Sequence, residues 1–226
     1  MTPKRQKPTA PISATRPLHR RSLLALGLAA TLLAGCGKSA KFAAIPAGAT
    51  VLAFGDSVTF GVGAAKGEDW PSLLASKTGW NVVNAGISGD TAENGKTRIQ
   101  ALLTENRPAL VIIEIGGNDF LRRKAPMRVK EDIREIIKAV RSFGAQVALV
   151  SVPELSLLGV LANRPSDSPI FEELAKEEGV TLVPDVFSET LARPELCADK
   201  IHPNALGYQF MASGIHARLQ KVGLAA

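Results

Sequence analysis

From residue 51 to the C-terminus, apolar positions fall into two alternating rhythms. Short solid runs at Val51-Leu52-Ala53-Phe54, Asn81-Val82-Val83-Asn84, 110–115, 146–152 and Thr181-Leu182-Val183 have the length and β-branched content of strands. The run at 110–115 is apolar almost throughout, as expected of a central parallel strand covered on both faces. Between these runs, apolar residues recur every three or four positions and predict helices over 70–78, 92–105, a stretch ending at Gly144, 169–178 and 205–222. In the third of these, Val129, Ile133, Ile136, Ile137, Val140 and Phe143 form one stripe. In the last, Tyr208, Met211, Ile215 and Leu219 do. Ser168 and Pro169 provide a helix start, and Gly79, Gly144 and Gly179 provide stops. Strand and helix alternate throughout, which argues for a parallel sheet with helices on both faces and right-handed crossovers. The pattern does not fix the order of the strands.

Ahead of residue 51 the pattern changes. Lys4, Arg5, Lys7, Arg16, Arg20 and Arg21 precede an apolar run from Leu23 to Leu33 that is short for a bilayer span and ends in small residues, as a cleaved export signal does. Leu33-Ala34-Gly35-Cys36 resembles a bacterial lipobox, in which Cys36 is lipid-modified and becomes the mature N-terminus. The expectation is therefore a signal peptide over 1–35, a tether over 36–50 rich in Ala, Gly, Lys and Ser, and a folded domain over 51–226. The product is expected in the bacterial envelope, membrane-anchored and facing the periplasm or the cell surface. Arg20-Arg21-Ser22-Leu23-Leu24 loosely resembles a twin-arginine signal, so the export route stays open.

Composition adds two points. The 226 residues, 46% hydrophobic, suffice for one α/β domain with a sizeable core. The net charge of +6 belongs to the leader: the six cations named above account for the excess of 27 basic over 21 acidic residues. The charge therefore predicts no nucleic-acid partner. With Cys36 lipidated, Cys197 is the remaining thiol, read as a small apolar filler.

The candidate chemistry begins at Gly55-Asp56-Ser57-Val58-Thr59-Phe60-Gly61, where a turn places a serine just past a strand's carboxyl end, the ligand-binding edge of open α/β sheets. Gly86-Ile87-Ser88-Gly89-Asp90-Thr91 and Gly116-Gly117-Asn118-Asp119 follow the second and third strands, and Asp199-Lys200-Ile201-His202-Pro203 precedes the last helix. A serine nucleophile needs a base and a carboxylate that orients the base. His19 leaves with the leader and His216 lies within a helix, so His202 is the candidate base and Asp199 its partner. A helix-capping network is compatible with the same residues. Asp56, Asp90 and Asp119 read as acceptors that fix loops rather than as metal ligands.

With these four blocks in order, the chain resembles the GDSL, or SGNH, family of esterases and lipases from about Val51 onward, most closely its bacterial thioesterase I, lysophospholipase L1 and arylesterase group. Val58 replaces the leucine of the family name. The resemblance implies a flavodoxin-like three-layer α/β/α fold with a five-stranded parallel sheet in the order 2-1-3-4-5. It also implies an oxyanion hole made by the N–H groups of Ser57 and Gly89 and the amide of Asn118, with no metal or organic cofactor. The apolar loop at 153–167 is either a wall for an acyl chain, with Leu155, Leu157 and Leu158 as lining, or a short helix packed in the core. The leading expectation is a serine esterase cleaving acyl esters or thioesters, lysophospholipids included, with no obligate protein partner. The rivals are a carbohydrate O-acetylesterase of the envelope and a non-catalytic lipoprotein.

Overall fold

The order of the strands follows from which of them can lose all contact with water. In the computed structural model, which describes residues 42–154 and 165–226, Leu110–Ile113 and Val51–Phe54 are fully buried and occupy the middle of the sheet. Strands β1 (Thr50–Gly55), β2 (Asn81–Gly86), β3 (Leu110–Glu114), β4 (Gln146–Val150) and β5 (Thr181–Val183) pair in parallel in the order β2-β1-β3-β4-β5. This is the order the family resemblance implies. The chain leaves β1 to one side and β3 to the other, which opens a crevice at their carboxyl ends.

The helices are α1 (Ser57–Phe60), α2 (Trp70–Thr78), α3 (Ala92–Asn106), α4 (Gly117–Leu121), α5 (Pro126–Phe143), α6 (Pro169–Glu178), α7 (Val186–Leu191) and α8 (Ala205–Lys221). Helix α3 packs on α5 and α5 on α6, while α8 packs on α2 and α7, so the sheet carries two helix layers. The long helices start and stop where local chemistry dictates. Asp69 accepts from the Ser72 N–H at 2.9 Å to start α2, and α2, α5 and α6 each end one residue before a glycine. Phe143, expected on the buried stripe of α5, is its last residue and is partly exposed.

The short helices α1, α4 and α7 have too few residues to show a helical period and were not expected from the pattern. Two of them, α1 and α4, follow β1 and β3 directly and carry the serine and asparagine blocks.

The packed chain begins ahead of Val51. Ile45 is buried, its N–H donates to the Leu224 carbonyl at 2.9 Å, and its carbonyl accepts from the Trp80 indole at 3.1 Å. The Gln146 side chain donates to Ala43 O at 2.7 Å. The second half of the stretch expected as a tether is therefore fastened to the domain, because Ile45 has an apolar slot beside the C-terminus. The core runs from Ile45 to Ala225, and residues from Ala40 onward form one compact unit with its own hydrophobic core, as a domain that folds on its own has. The leader with Cys36, and the loop leucines Leu155, Leu157 and Leu158, lie outside the described residues.

Replacing Ile45 with Ala in this unit should lower its unfolding free energy by about 3 kcal/mol, the usual range for truncating a buried branched side chain. Urea denaturation reads this directly. An unchanged midpoint would mean that the Ile45 side chain contributes nothing to the fold.

Candidate active site

Strand β1 ends at Gly55 under two other elements. A Cβ at Gly55 would run into the Glu114 carbonyl and the Thr59 side chain, so only glycine lets the chain turn here. Asp56 then accepts from the Val58 N–H at 3.1 Å and caps α1, which makes Ser57 the first residue of that helix. Ser57 is 7% exposed and lines a cavity together with Ser88, Gly89, Asn118, Leu121 and His202.

The structure brings three of the expected residues into one hydrogen-bonded chain. His202 Nε2 lies 3.0 Å from Ser57 Oγ, and His202 Nδ1 lies 2.7 Å from Asp199 Oδ2. The other carboxylate oxygen, Asp199 Oδ1, accepts the backbone N–H groups of Ile201 and His202, each at 2.8 Å. One oxygen therefore shapes the loop while the other meets the ring, and the capping of α8 falls to Asn204 instead. Partial burial pushes the Asp199 carboxyl up, but the bonds from the imidazole and the two N–H groups outweigh it and hold the group below the usual carboxylate range. The loop is fixed from behind by Asn204, which accepts from the Gly207 N–H at 3.0 Å and donates to Glu195 O at 2.9 Å. The Tyr208 hydroxyl donates to Val62 O at 2.7 Å and ties α8 to the segment after Ser57.

The expected oxyanion donors meet in the same cavity. The N–H groups of Ser57 and Gly89 have no acceptor among the described residues. Gly89 has a φ of 79°, a conformation that glycine adopts without strain. The Asn118 amide donates to Asp90 O at 2.9 Å and, more weakly, to Asp56 Oδ2 at 3.3 Å. The other aspartates serve as loop acceptors. Asp90 Oδ1 takes the Thr91 N–H at 3.0 Å and Asp119 Oδ2 the Ala92 N–H at 2.8 Å. Cys197 directs its thiol at backbone carbonyls, that of Arg193 at 3.4 Å, and burial pushes the thiol up, away from any nucleophilic role.

Two participants were missed in the sequence. Arg98, on α3, donates to Asp90 Oδ2 at 2.7 Å, Ala85 O at 2.8 Å and Gly55 O at 2.9 Å, with its guanidinium 4.0 Å above the Phe54 ring. It joins the ends of β1 and β2 to the glycine block. Nothing in its local sequence distinguishes it from a solvated helix arginine. Glu114 did carry a signal, as the one charge within the apolar run at 110–115. It is fully buried beneath α1 and accepts from Thr59 Oγ1 at 2.8 Å, while its Oε1 has no partner. Burial, reinforced by the charge of Asp56, holds Glu114 well above the usual carboxylate range. Burial likewise pushes Asp56 up to about 7 against the pull of the Val58 N–H.

The GDSL-like Lipase/Acylhydrolase family matches this chain over residues 53–210. The thioesterase 1/protease 1/lysophospholipase L1 of Escherichia coli K12 is 36% identical over 176 residues, which cover 76% of this chain and 83% of that protein. The arylesterase of Vibrio mimicus is 31% identical over 187 residues, 79% of this chain and 92% of its own. The crystal structure of TesA superposes with a TM-score of 0.68 at 31% identity, covering 76% of this chain and 99% of that one.

Because Glu114 and Asp56 are both raised in the folded protein, the native state binds their protons more tightly than the unfolded chain does. The stabilisation is complete below the unfolded carboxylate range near pH 4 and is lost as pH rises through the raised folded-state range of each group, about 7 for Asp56. Glu114→Gln keeps an acceptor for Thr59 and removes one of the two titrations, so the variant should gain on the parent between pH 5 and pH 8. Urea midpoints at the two pH values test this, and parallel losses in both proteins would contradict it.

Proposed function

Given that the chain belongs to the GDSL-like lipase/acylhydrolase family and is therefore a hydrolase of ester bonds, we propose that it is a serine esterase cleaving acyl esters or thioesters, lysophospholipids included, through an acyl-enzyme on Ser57. The observation that carries this reading is the 3.0 Å approach of His202 Nε2 to Ser57 Oγ with Asp199 on the far ring nitrogen. As Ser57 Oγ attacks the substrate carbonyl, His202 takes its proton, and Asp199 stabilises the resulting imidazolium. The carbonyl oxygen, now negative, accepts from the free N–H groups of Ser57 and Gly89. Asn118 joins them by giving up its longer bond, the 3.3 Å contact to Asp56. A donor of this kind contributes about 3 kcal/mol to the transition state. His202 returns the proton to the leaving alcohol or thiol, then activates the water that hydrolyses the acyl-enzyme.

The rim supports longer acyl groups over acetyl as substrates. Leu121 lines the cavity and is 43% exposed, and its apolar surface suits a hydrocarbon chain leaving it. Phe60 and Ile87, inside the serine and glycine blocks, are 58% and 49% exposed. The leader supports a second part of the proposal: that the mature chain is an exported lipoprotein, held at a membrane through Cys36 and spaced from it by the residues ahead of Ala43.

Hydrolysis of p-nitrophenyl esters from acetate to palmitate by the unit starting at Ala40 should show an optimum beyond acetate. Ser57→Ala should lower kcat/KM by a factor of about 10⁴ or more. A steep loss beyond acetate would favour an O-acetylesterase, and a folded unit inactive on every ester would favour a binding protein.

In a bacterial host, the full chain should fractionate with membranes washed in about 1 M salt, where surface charges are screened, and carry a lipid on its N-terminal cysteine by mass spectrometry, whereas Cys36→Ala should be released by that wash. An unmodified soluble parent would remove the anchor from the proposal.

A further inference from the structure

The segment 121–128, Leu-Arg-Arg-Lys-Ala-Pro-Met-Arg, joins α4 to α5 at the mouth of the cavity, which Leu121 lines. Only one of its four cations is turned inward to carboxylates. Lys124 Nζ reaches Asp132 at 2.6 Å, Glu93 at 2.9 Å and the buried Asp119 at 3.4 Å. Around that anchor, Arg123 adopts a left-handed backbone with φ 58°. Val129, Lys130 and Ile133 take the buried side of α5, so Met127 and Arg128 project from the other side. The result is an exposed patch of Leu121, Arg122, Arg123, Met127 and Arg128, in which Met127 is 57% exposed.

The three arginines of this patch have no acidic partner among the described residues, and residues 1–41 and 155–164 contain no Asp or Glu. Arg122 donates to the Gly89 carbonyl at 3.1 Å and keeps the rest of its fork free. The acids farther along α5 are already engaged: Glu131 with Arg134, Asp132 with Lys96 and Lys124, and Glu135 with Lys96. Unpaired guanidinium groups flanked by exposed apolar side chains complement one kind of surface, in which phosphates lie level with the charges and acyl carbon lies just beneath. A dissolved polyanion would engage the arginines alone and leave Leu121 and Met127 in water.

We propose that segment 121–128 docks the catalytic domain on a membrane surface carrying anionic phospholipid, with Arg122, Arg123 and Arg128 on the phosphates and Leu121 and Met127 at the acyl boundary. This surface is separate from the Cys36 anchor and from ester cleavage itself. It sets where the cavity mouth sits, at the level from which a single-chain lipid would enter.

The test uses the unit from Ala40 onward with Ser57→Ala, which cannot consume the lipid, in sedimentation with vesicles of phosphatidylcholine alone or mixed with phosphatidylglycerol. Binding is expected only with the mixed vesicles, and it should weaken between about 0.1 M and 1 M salt as the screening length falls from about 10 to about 3 Å. Adding Arg123→Asn and Arg128→Gln, with asparagine chosen because it tolerates the left-handed backbone, should reduce affinity about 25-fold, roughly fivefold per arginine. Met127→Ser should weaken binding with every charge in place. In the Ser57-intact protein, these three substitutions should leave p-nitrophenyl acetate hydrolysis unchanged, which shows that the site is folded. Equal binding to neutral vesicles, no binding, or an unaffected arginine variant would overturn the proposal. So would equal capture by a soluble polyanion such as duplex DNA with no dependence on Met127.

Discussion

One guanidinium ties the carboxyl ends of two neighbouring strands to the glycine block. Gly55 O closes β1, Ala85 O lies one residue before the end of β2, and the Asp90 carboxylate stands in the turn that follows. Arg98 donates to all three at 2.7–2.9 Å and stacks on Phe54. A planar fork with five donors suits this task, and a lysine does not. With those ends fixed, the turn bearing Gly89 stands opposite the turn bearing Ser57. Asn84 adds a second link, donating to Thr59 O at 2.8 Å, and Gly86 lets β2 approach the backbone of Phe60.

Beneath the same turn lies a tension between solvation and charge. Asp56 and Glu114 are both buried within one short stretch of structure, and neither forms an ion pair among the described residues, although the charge of His202 pulls against the burial of Asp56. Burial without a counter-charge favours the neutral acid, which is why both are raised. Asp56 still performs two structural tasks, capping α1 and receiving the longer Asn118 contact. Its charge therefore bears on how firmly that amide is held away from the cavity. The arrangement places a titrating group under Ser57 without placing it in the hydrogen-bonded chain of Ser57, His202 and Asp199.

Much of this was legible in the sequence, for definable reasons. Strands buried on both faces are solid apolar runs, and helices with one buried face show their period. Stops such as Gly144 act locally. The serine and histidine blocks were visible because turn residues and rare functional side chains stand out against that background. The strand order came only with the family resemblance, since periodicity says nothing about neighbours. Helices of four to six residues are shorter than their own signal. Arg98 and Tyr208 act on carbonyls 43 and 146 residues away, so no local pattern encodes them. Ile45 was assigned to a tether because a single isoleucine among small residues makes no pattern, although its partners lie at the far end of the chain.

His202 is the residue of the candidate site least secured by the sheet. It sits on a loop between the turn at Pro194–Leu196 and α8, and it meets Ser57 across 145 positions of sequence. Its placement therefore rests on bonds within the loop, backbone ones such as Ala198 N–H to His202 O at 2.9 Å together with side-chain ones, and not on the five-stranded sheet. Asp199 closes the loop on itself, Asn204 ties it to the preceding turn, and Tyr208 links α8 to Val62. Asp199 has a side chain 54% exposed, so water screens its charge at the imidazole. Its firmest contribution is geometric: two backbone N–H groups and one ring nitrogen converge on a single carboxylate, and the ring is aimed by the same bonds that shape the loop. Aim and loop conformation are thus one constraint, and neither can be changed without the other.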